Sequence, residues 1–292
     1  MKRKLLSLLL PVILVFAMIG PAFADIGPKP SVRISFTGGE GAVFYGTLLS
    51  EESSTGPASA YEKFESRYMT QDNRRVEGPE AETLWQAFQN YAEEDEFYFL
   101  QQWWSCSESS GMNWTYYPPE TFKLLLYCPE THAYRVSAAT ERYAFDSLFT
   151  VDLSGEGELV LERSYHYGPE ILSFLIRAAL TIALELAVVW LFGYREKRQL
   201  AFLALVNGAT QIGLNLYLSL TAYHQGSLAF TASYLLGEVL VTAAEAFLYA
   251  NLLPRCSEKR TGKGLAVSYA LASNLLSFGA GMLLAHLIPG IF

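Results

Sequence analysis

Three cysteines and four histidines are scattered through 292 residues, and neither type is grouped. No Cys-x-x-Cys pair and no Cys/His ligand spacing occurs, which excludes a structural zinc site of the usual kind. No serine sits in a nucleophile-elbow glycine pattern, which removes the hydrolases that depend on one. The apolar segments carry neither a His-rich metal motif nor a Ser–His pair, the usual signs of an intramembrane hydrolase. Positive charge is scarce as well: between Asp25 and His166, ten Lys and Arg stand against twenty-three Asp and Glu, a net charge of −13. A surface of that sign repels nucleic acid, so no nucleic-acid partner is expected. These absences leave no catalytic constellation, and the chain reads as no enzyme.

What is present is unevenly distributed. Lys2, Arg3 and Lys4 precede an apolar run from Leu5 to Ile19, and Ala22-Phe23-Ala24 fits the small-x-small rule for signal cleavage. Residues 1–24 are therefore expected to be a signal peptide, and the segment from Asp25 onward to be exported. Cys106 and Cys128 lie in that segment on two strand-like stretches, candidates for a disulfide in an oxidising compartment. Cys256 falls in an expected cytosolic loop, as a free thiol.

From Val32 to Tyr165 the pattern is one of short alternating runs punctuated by Gly and Pro. Val32–Phe36 alternates with period two, and Val43–Leu49 reads as its return strand. Gly78-Pro79 opens a helix with Leu84, Phe88 and Tyr91 on one face. Further strands are expected at Phe97–Trp104, Trp114–Tyr117, Phe122–Tyr127, Tyr134–Ser137, Tyr143–Val151 and Leu159–Tyr165. Eight strands and one helix imply an antiparallel β-sandwich over residues 25–166. Neighbouring strand residues point to opposite faces, so Trp103 and Trp104 cannot share one core. Ordinary packing is the first expectation for them; an exposed platform for an extracellular glycan or peptide is the second.

Residues 167–292 are of another kind. Four apolar runs, Ile171–Tyr194, Leu200–Tyr223, Phe230–Leu253 and Leu265–Leu287, each approach or exceed the ~20 residues that cross a bilayer. They imply an all-α four-helix transmembrane bundle with the lipid bilayer as partner. Arg195–Arg198 and the segment from Arg255 to Lys263 are basic, whereas His224–Ser227 has no Lys or Arg. The positive-inside rule puts the first two loops in the cytosol, and export of the β-domain demands the same arrangement. The C-terminus then lies outside, and the bacterial plasma membrane is the expected location. The linker Tyr165–Pro169 is short, so the β-domain should lie against the membrane face.

Polar residues interrupt these runs at helical spacing. Arg177, Thr181 and Glu185 form one stripe; Asn207, Gln211 and Asn215 a second; Glu238, Thr242 and Glu245 a third; Ser273, Asn274 and Ser277 a fourth. Lipid cannot satisfy them, so all four stripes should face the bundle interior. Rise per residue and alternating direction place Arg177, Asn215 and Glu238 together in the outer half, with Arg177 pairing Glu238. Glu185, Asn207, Glu245 and Asn274 meet in the inner half, near Gln211. Two carboxylates ringed by amides share a proton, hold a hard cation or rearrange. Such a cluster either glues helices together or forms a working site. A cation is the only cofactor these residues would suit. Four helices leave little room for a path, so a homo-oligomer or partner subunit would be needed for transport.

The segments DIGPKPSVRISF, RAALTIALELAVVWLFGYREKRQL, VNGATQIGLNLYL, GEVLVTAAEAFLYANLL and LASNLLSFGAG, with YCPETHAYRVS and RYAFDSLFTVDL, carry a resemblance. The chain resembles a family of Gram-positive, clostridial-type membrane proteins with a signal peptide, an exported β-domain and four C-terminal transmembrane helices. The resemblance implies the architecture and the plasma membrane, and it carries over no catalytic residue. Two functions are open on this reading: extracytoplasmic binding, sensing or envelope support, and cation- or proton-coupled transport through the buried cluster.

Overall fold

The structure, a computed structural model, describes residues 27–39, 43–60, 79–106, 111–256 and 262–287. The expected signal peptide, residues 1–24, lies outside them.

Ten strands and one helix precede the long helices among the described residues. Strand β1 (Ser31–Thr37) buries Val32, Ile34 and Phe36 and exposes Arg33, Ser35 and Thr37, as its alternation requires. It pairs in parallel with β9 (Asp146–Asp152) and antiparallel with β5 (Met112–Trp114); β10 (Glu162–Arg163) completes this sheet. A second sheet centres on β2 (Phe44–Ser50), flanked on one side by β3 (Tyr98–Phe99) and β4 (Trp104–Cys106). On its other side runs β6 (Thr121–Cys128), which carries β7 (Ala133–Val136) and β8 (Thr140–Glu141). The expected purely antiparallel arrangement is therefore corrected, because β1 and β9 run parallel. Nor is β2 the hairpin partner of β1. The two strands lie in different sheets, with Phe36 and Phe44 edge to face at 5.0 Å.

One apolar core draws on both sheets, joining Val32, Ile34 and Phe149 of the first to Leu48, Phe122 and Leu124 of the second. A second core lies on the other face of the β2 sheet, where helix α1 (Pro79–Glu93) seats Leu84, Trp85 and Phe88 against Leu49, Leu125 and Tyr127. This is why every residue of β2 is buried. It also settles the tryptophans: Trp103 is 1% exposed in the α1 core and Trp104 is 7% exposed in the core between the sheets. Both point away from solvent, in the ordinary packing expected first, and the alternative aromatic platform is not formed. The expected strand Phe97–Trp104 is split in two at Gln101, whose φ of 64° leaves the extended region.

The cysteines are free. Cys106 lies opposite Phe44 on one side of β2, and the register Tyr45↔Tyr127 puts Cys128 opposite Phe44 on the other side. Two strand spacings separate them, about 9.5 Å, beyond the roughly 7 Å limit between Cα atoms in a disulfide. The disulfide expected from the sequence is excluded by that register.

Among the described residues, three helices are long and apolar enough to cross a membrane: Tyr167–Leu191, Lys197–Arg255 and Lys263–Leu283. They correspond to α2 (Tyr167–Leu191), α3 (Lys197–Leu252) with a short 3₁₀ extension, and α4 (Lys263–Leu287). The expected loop at His224–Ser227 is helical except at Gly226, whose φ of 82° and ψ of −177° break α3 into two arms. A straight helix would hold Asn207 and Tyr249 about 63 Å apart. Instead the Tyr249 hydroxyl donates to Asn207 Oδ1, so the arms lie antiparallel. Large apolar side chains such as Leu172, Trp190, Leu205, Leu216, Phe247 and Leu275 face outward, while Glu185, Asn207, Gln211 and Glu245 are at most 1% exposed. Apolar outside and polar inside is the arrangement hydrocarbon selects, and it marks a membrane protein.

Candidate functional site

The break at Gly226 builds the junction between the two parts of the chain. Ending an arm there strips the carbonyls of its last turn of intrahelical partners. Tyr223 O accepts a hydrogen bond from Phe145 N–H at 2.8 Å, and Phe145 O accepts one from Ser31 N–H at 2.9 Å. Strand β1, the loop before β9 and the first arm of α3 are thus tied in series. Tyr143, Tyr165 and Tyr223 pack around this link, with ring centroids 5.2–6.5 Å apart. The Tyr165 hydroxyl donates to Glu170. Burial first, and then that carboxylate, push its pKa above the ordinary tyrosine range, so it stays a donor.

Beside the link lies a cavity of about 610 Å³ lined from both parts of the chain. Lys29, Arg33 and Asp146 reach it from the sheet, and Glu170, Arg177 and Ser227 from the helices. Arg177 was expected to pair with Glu238. It does not: its Nε donates to Asn215 Oδ1 at 3.1 Å and its guanidinium lies 5.6 Å from the centre of the Phe230 ring. The cause is side-chain direction. A helical side chain leans toward the helix N-terminus, and the long arginine follows that lean up to the cavity. Glu238 Oε2 is left enclosed with no hydrogen-bond partner. Asn215, the third member of the expected outer group, does meet Arg177.

The inner group assembles. Glu245 Oε1 accepts from Thr210 Oγ1 at 2.5 Å and Glu245 Oε2 from Asn274 Nδ2 at 2.7 Å. Glu185 Oε1 accepts from Ser277 Oγ at 3.4 Å. Asn207 joins through Tyr249. Gln211 is 1% exposed, and its carbonyl accepts from Asn215 Nδ2 at 2.9 Å. Hydrogen bonds lead from the cavity through Arg177 and Asn215 as far as the Gln211 main-chain carbonyl, on the helical stripe that also carries Asn207. Glu185 Oε2, Asn207 Nδ2, Gln211 Nε2 and Asn274 Oδ1 are enclosed without a hydrogen-bond partner in the protein. Each such group costs about 1–3 kcal/mol unless something pairs it. Thr242 takes no part, since its hydroxyl is turned back onto Glu238 O at 2.7 Å.

Sequence reasoning missed the aromatic end of this cluster. Tyr194, Tyr249 and Tyr269 are fully buried and packed together, with Tyr269 5.6 Å from each of the other two. Tyr269 OH donates to Glu185 O at 3.3 Å. The signal existed: Tyr249 lies four residues beyond Glu245, and Tyr269, Ser273 and Ser277 repeat at i, i+4, i+8. Thr210 was missed because it borders the Asn207–Gln211 stripe instead of falling on it.

Among the described residues no group of three or more His, Cys, Asp or Glu is placed to hold a metal ion. Among the described residues, the side chains around the cluster offer carboxylates, amides and hydroxyls, a set that suits a hard ion or a proton. No family model matches the chain, and no curated protein or solved structure is similar to it.

Proposed function

We propose that this is a multi-pass membrane protein of no enzymatic class, which binds a ligand outside the cytoplasm and couples that binding to a polar-cored helix bundle. In this reading residues 1–24 are a signal peptide and the two sheets form a β-sandwich on the extracytoplasmic side of a bacterial plasma membrane. Each arm of α3 crosses separately, giving four spans, with the loops after α2 and after α3 in the cytosol. The clostridial-type family resemblance supports the same architecture.

One observation carries the functional part: the hydrogen-bonded link from the junction cavity through Arg177 and Asn215 to the helical stripe of Gln211 and Asn207, beside which the group around Glu245 and Glu185 is buried. A ligand seated in the cavity touches Arg177, the first member of that link, and its effect passes through Asn215 to the first arm of α3. The test fills the cavity from within. Ser173→Trp and, separately, Ser219→Trp in the full chain should change amide hydrogen exchange around Asn207–Asn215 by at least threefold. Exchange there that stays as in the wild type in both folded variants overturns the coupling.

A second reading, transport coupled to a cation or proton, is favoured by the enclosed, unpartnered oxygens and amides around Glu185 and Glu245. Its check is ion-dependent thermal stabilisation of the wild type against Glu185→Gln and Glu245→Gln. Transport is sunk by a wild type that answers to no ion and by variants of unchanged stability.

A further inference from the structure

The junction cavity has a chemical character unlike the domain above it. Residues 25–166 carry a net charge of −13, yet three cations and two anions line this space. The cations come from separate places: Lys29 before β1, Arg33 within it and Arg177 in α2. Both anions are already engaged by hydroxyl donors, Asp146 by Ser31 and Glu170 by Tyr165. Ser173, Ser219 and Ser227 add further hydroxyls to the wall. Two helices also begin here. Pro169 and Glu170 belong to the first turn of α2, which has no side-chain cap, and Ser227 opens the second arm of α3. The N–H groups of such first turns and the helix dipoles favour negative charge.

Depth adds the second half of the argument. Arg177 stands ten residues into a candidate span, about 15 Å along the helix. Its side chain reaches back toward the start of the helix, to a cavity that Tyr165 lines, at the end of the span where lipid headgroups meet protein. Outward-facing Ile171, Leu172 and Leu175 continue the same helix as an apolar surface, each more than half exposed. An occupant that satisfies both regions has an anionic head and an apolar tail.

We infer that the cavity binds the phosphate head of an anionic amphiphile, with Lys29, Arg33 and Arg177 as its charge partners and the tail laid along α2. This rests on the junction-binding reading above and names the class of ligand for it. Arginine supplies forked donors that match phosphate oxygens, and the lysine adds a point charge.

The experiment uses the full chain in neutral detergent, with native mass spectrometry and thermal unfolding as readouts. The probes are dioleoyl phosphatidic acid, dioleoyl phosphatidylcholine, dioleoylglycerol and inorganic phosphate. Phosphatidic acid should be retained at least tenfold more tightly than the other two lipids and should raise the unfolding temperature. Arg177→Gln should remove most of that preference. So should Lys29→Gln with Arg33→Gln, a change on the exposed face of β1 and the segment before it, kept as the second variant should Arg177→Gln fail to fold. Arg177→Lys should keep part of the preference, and Lys263→Gln, away from the cavity, should keep all of it. Equal retention of all three lipids, abolished by filling the cavity with Ser219→Trp, overturns the phosphate assignment and leaves the junction site standing. Inorganic phosphate that stabilises as well as phosphatidic acid overturns the amphiphile and keeps the anion. No binding of any probe overturns both this inference and the junction site.

Discussion

The Phe145 ring lies against the backbone of Gly226, so close that a Cβ built on the glycine would fall 2.6 Å from Phe145 Cε1. Two independent constraints therefore meet at one residue. Its φ of 82° with an extended ψ belongs to a region that is essentially glycine's alone, and the space beside it is taken. The same residue turns α3 back on itself and brings Tyr223 O to Phe145 N–H.

Gly226→Ala should consequently cost about 2–4 kcal/mol, from backbone strain and the clash together. Phe145→Ala in the same chain should return only the clash. Thermal unfolding of the two single variants and the double variant in detergent measures the split. A double variant no more stable than Gly226→Ala would mean that the ring contributes nothing at this turn.

Trp103 and Trp104 are adjacent in sequence yet belong to separate cores, one under α1 and one between the sheets. Each truncation to alanine should cost about 3–5 kcal/mol, the usual range for a buried aromatic. Because the two side chains share no core, their costs should add to within about 0.5 kcal/mol. Chemical unfolding of the single and double variants checks this. Loss of glycan binding without loss of stability in either variant would contradict the burial.

Much of this was legible in the chain, and what was not has physical causes. Alternation marked β1, and the Gly-Pro start with Leu84 and Phe88 marked α1, since both elements have one clear apolar face. Which strand pairs with which was not legible. The parallel β1–β9 pairing is set by contacts more than a hundred residues apart in sequence, and no local pattern encodes it. Trp103 and Trp104 pack in separate cores, as their alternation requires; the alternative of an exposed platform assumed one buried face, whereas α1 covers the second. Of the buried polar groups, the inner one assembled because Glu185, Asn207, Glu245 and Asn274 are short enough to stay at the height of their own Cα. Arg177 escaped the same reasoning because its side chain spans more than a helical turn.

The strand register keeps Cys106 and Cys128 on opposite sides of β2. Protein purified without reductant and denatured should therefore take up alkylating reagent at all three cysteines. Intact mass after alkylation reads the count. A mass short by two alkyl groups, with Cys106 and Cys128 joined in the peptide map, would contradict the register.

Glu245 accepts from both Thr210 and Asn274, which tie the two arms of α3 to each other and to α4. Asn274→Leu removes one donor and leaves the carboxylate oxygen enclosed without a partner, at about 1–3 kcal/mol. Glu245→Gln in the Asn274→Leu background replaces the carboxylate by an amide that needs less compensation, and should recover part of the loss. Thermal unfolding of the three variants tests the pairing; independent, additive losses would show that the two groups do not interact.

Gly237 is buried in the second arm of α3 against Leu214 of the first, and a Cβ at this position would run into the leucine side chain. Close approach of helices in hydrocarbon depends on small residues at such points, because lipid tails offer no hydrophobic drive to association. Gly237→Leu should push the arms apart and cost about 1–3 kcal/mol by overpacking. Gly208 and Gly213 lie in the first arm of α3 and Gly279 in α4, but a Cβ on any of them would meet nothing within 4 Å. Alanine at those three positions should be neutral or stabilising by about 0.5–1 kcal/mol, through better helix propensity alone. Thermal unfolding of the four variants side by side tests the contrast. If Gly213→Ala proves as costly as Gly237→Leu, the loss reflects helix glycines in general and not the contact with Leu214, and the antiparallel packing of the arms would need another support.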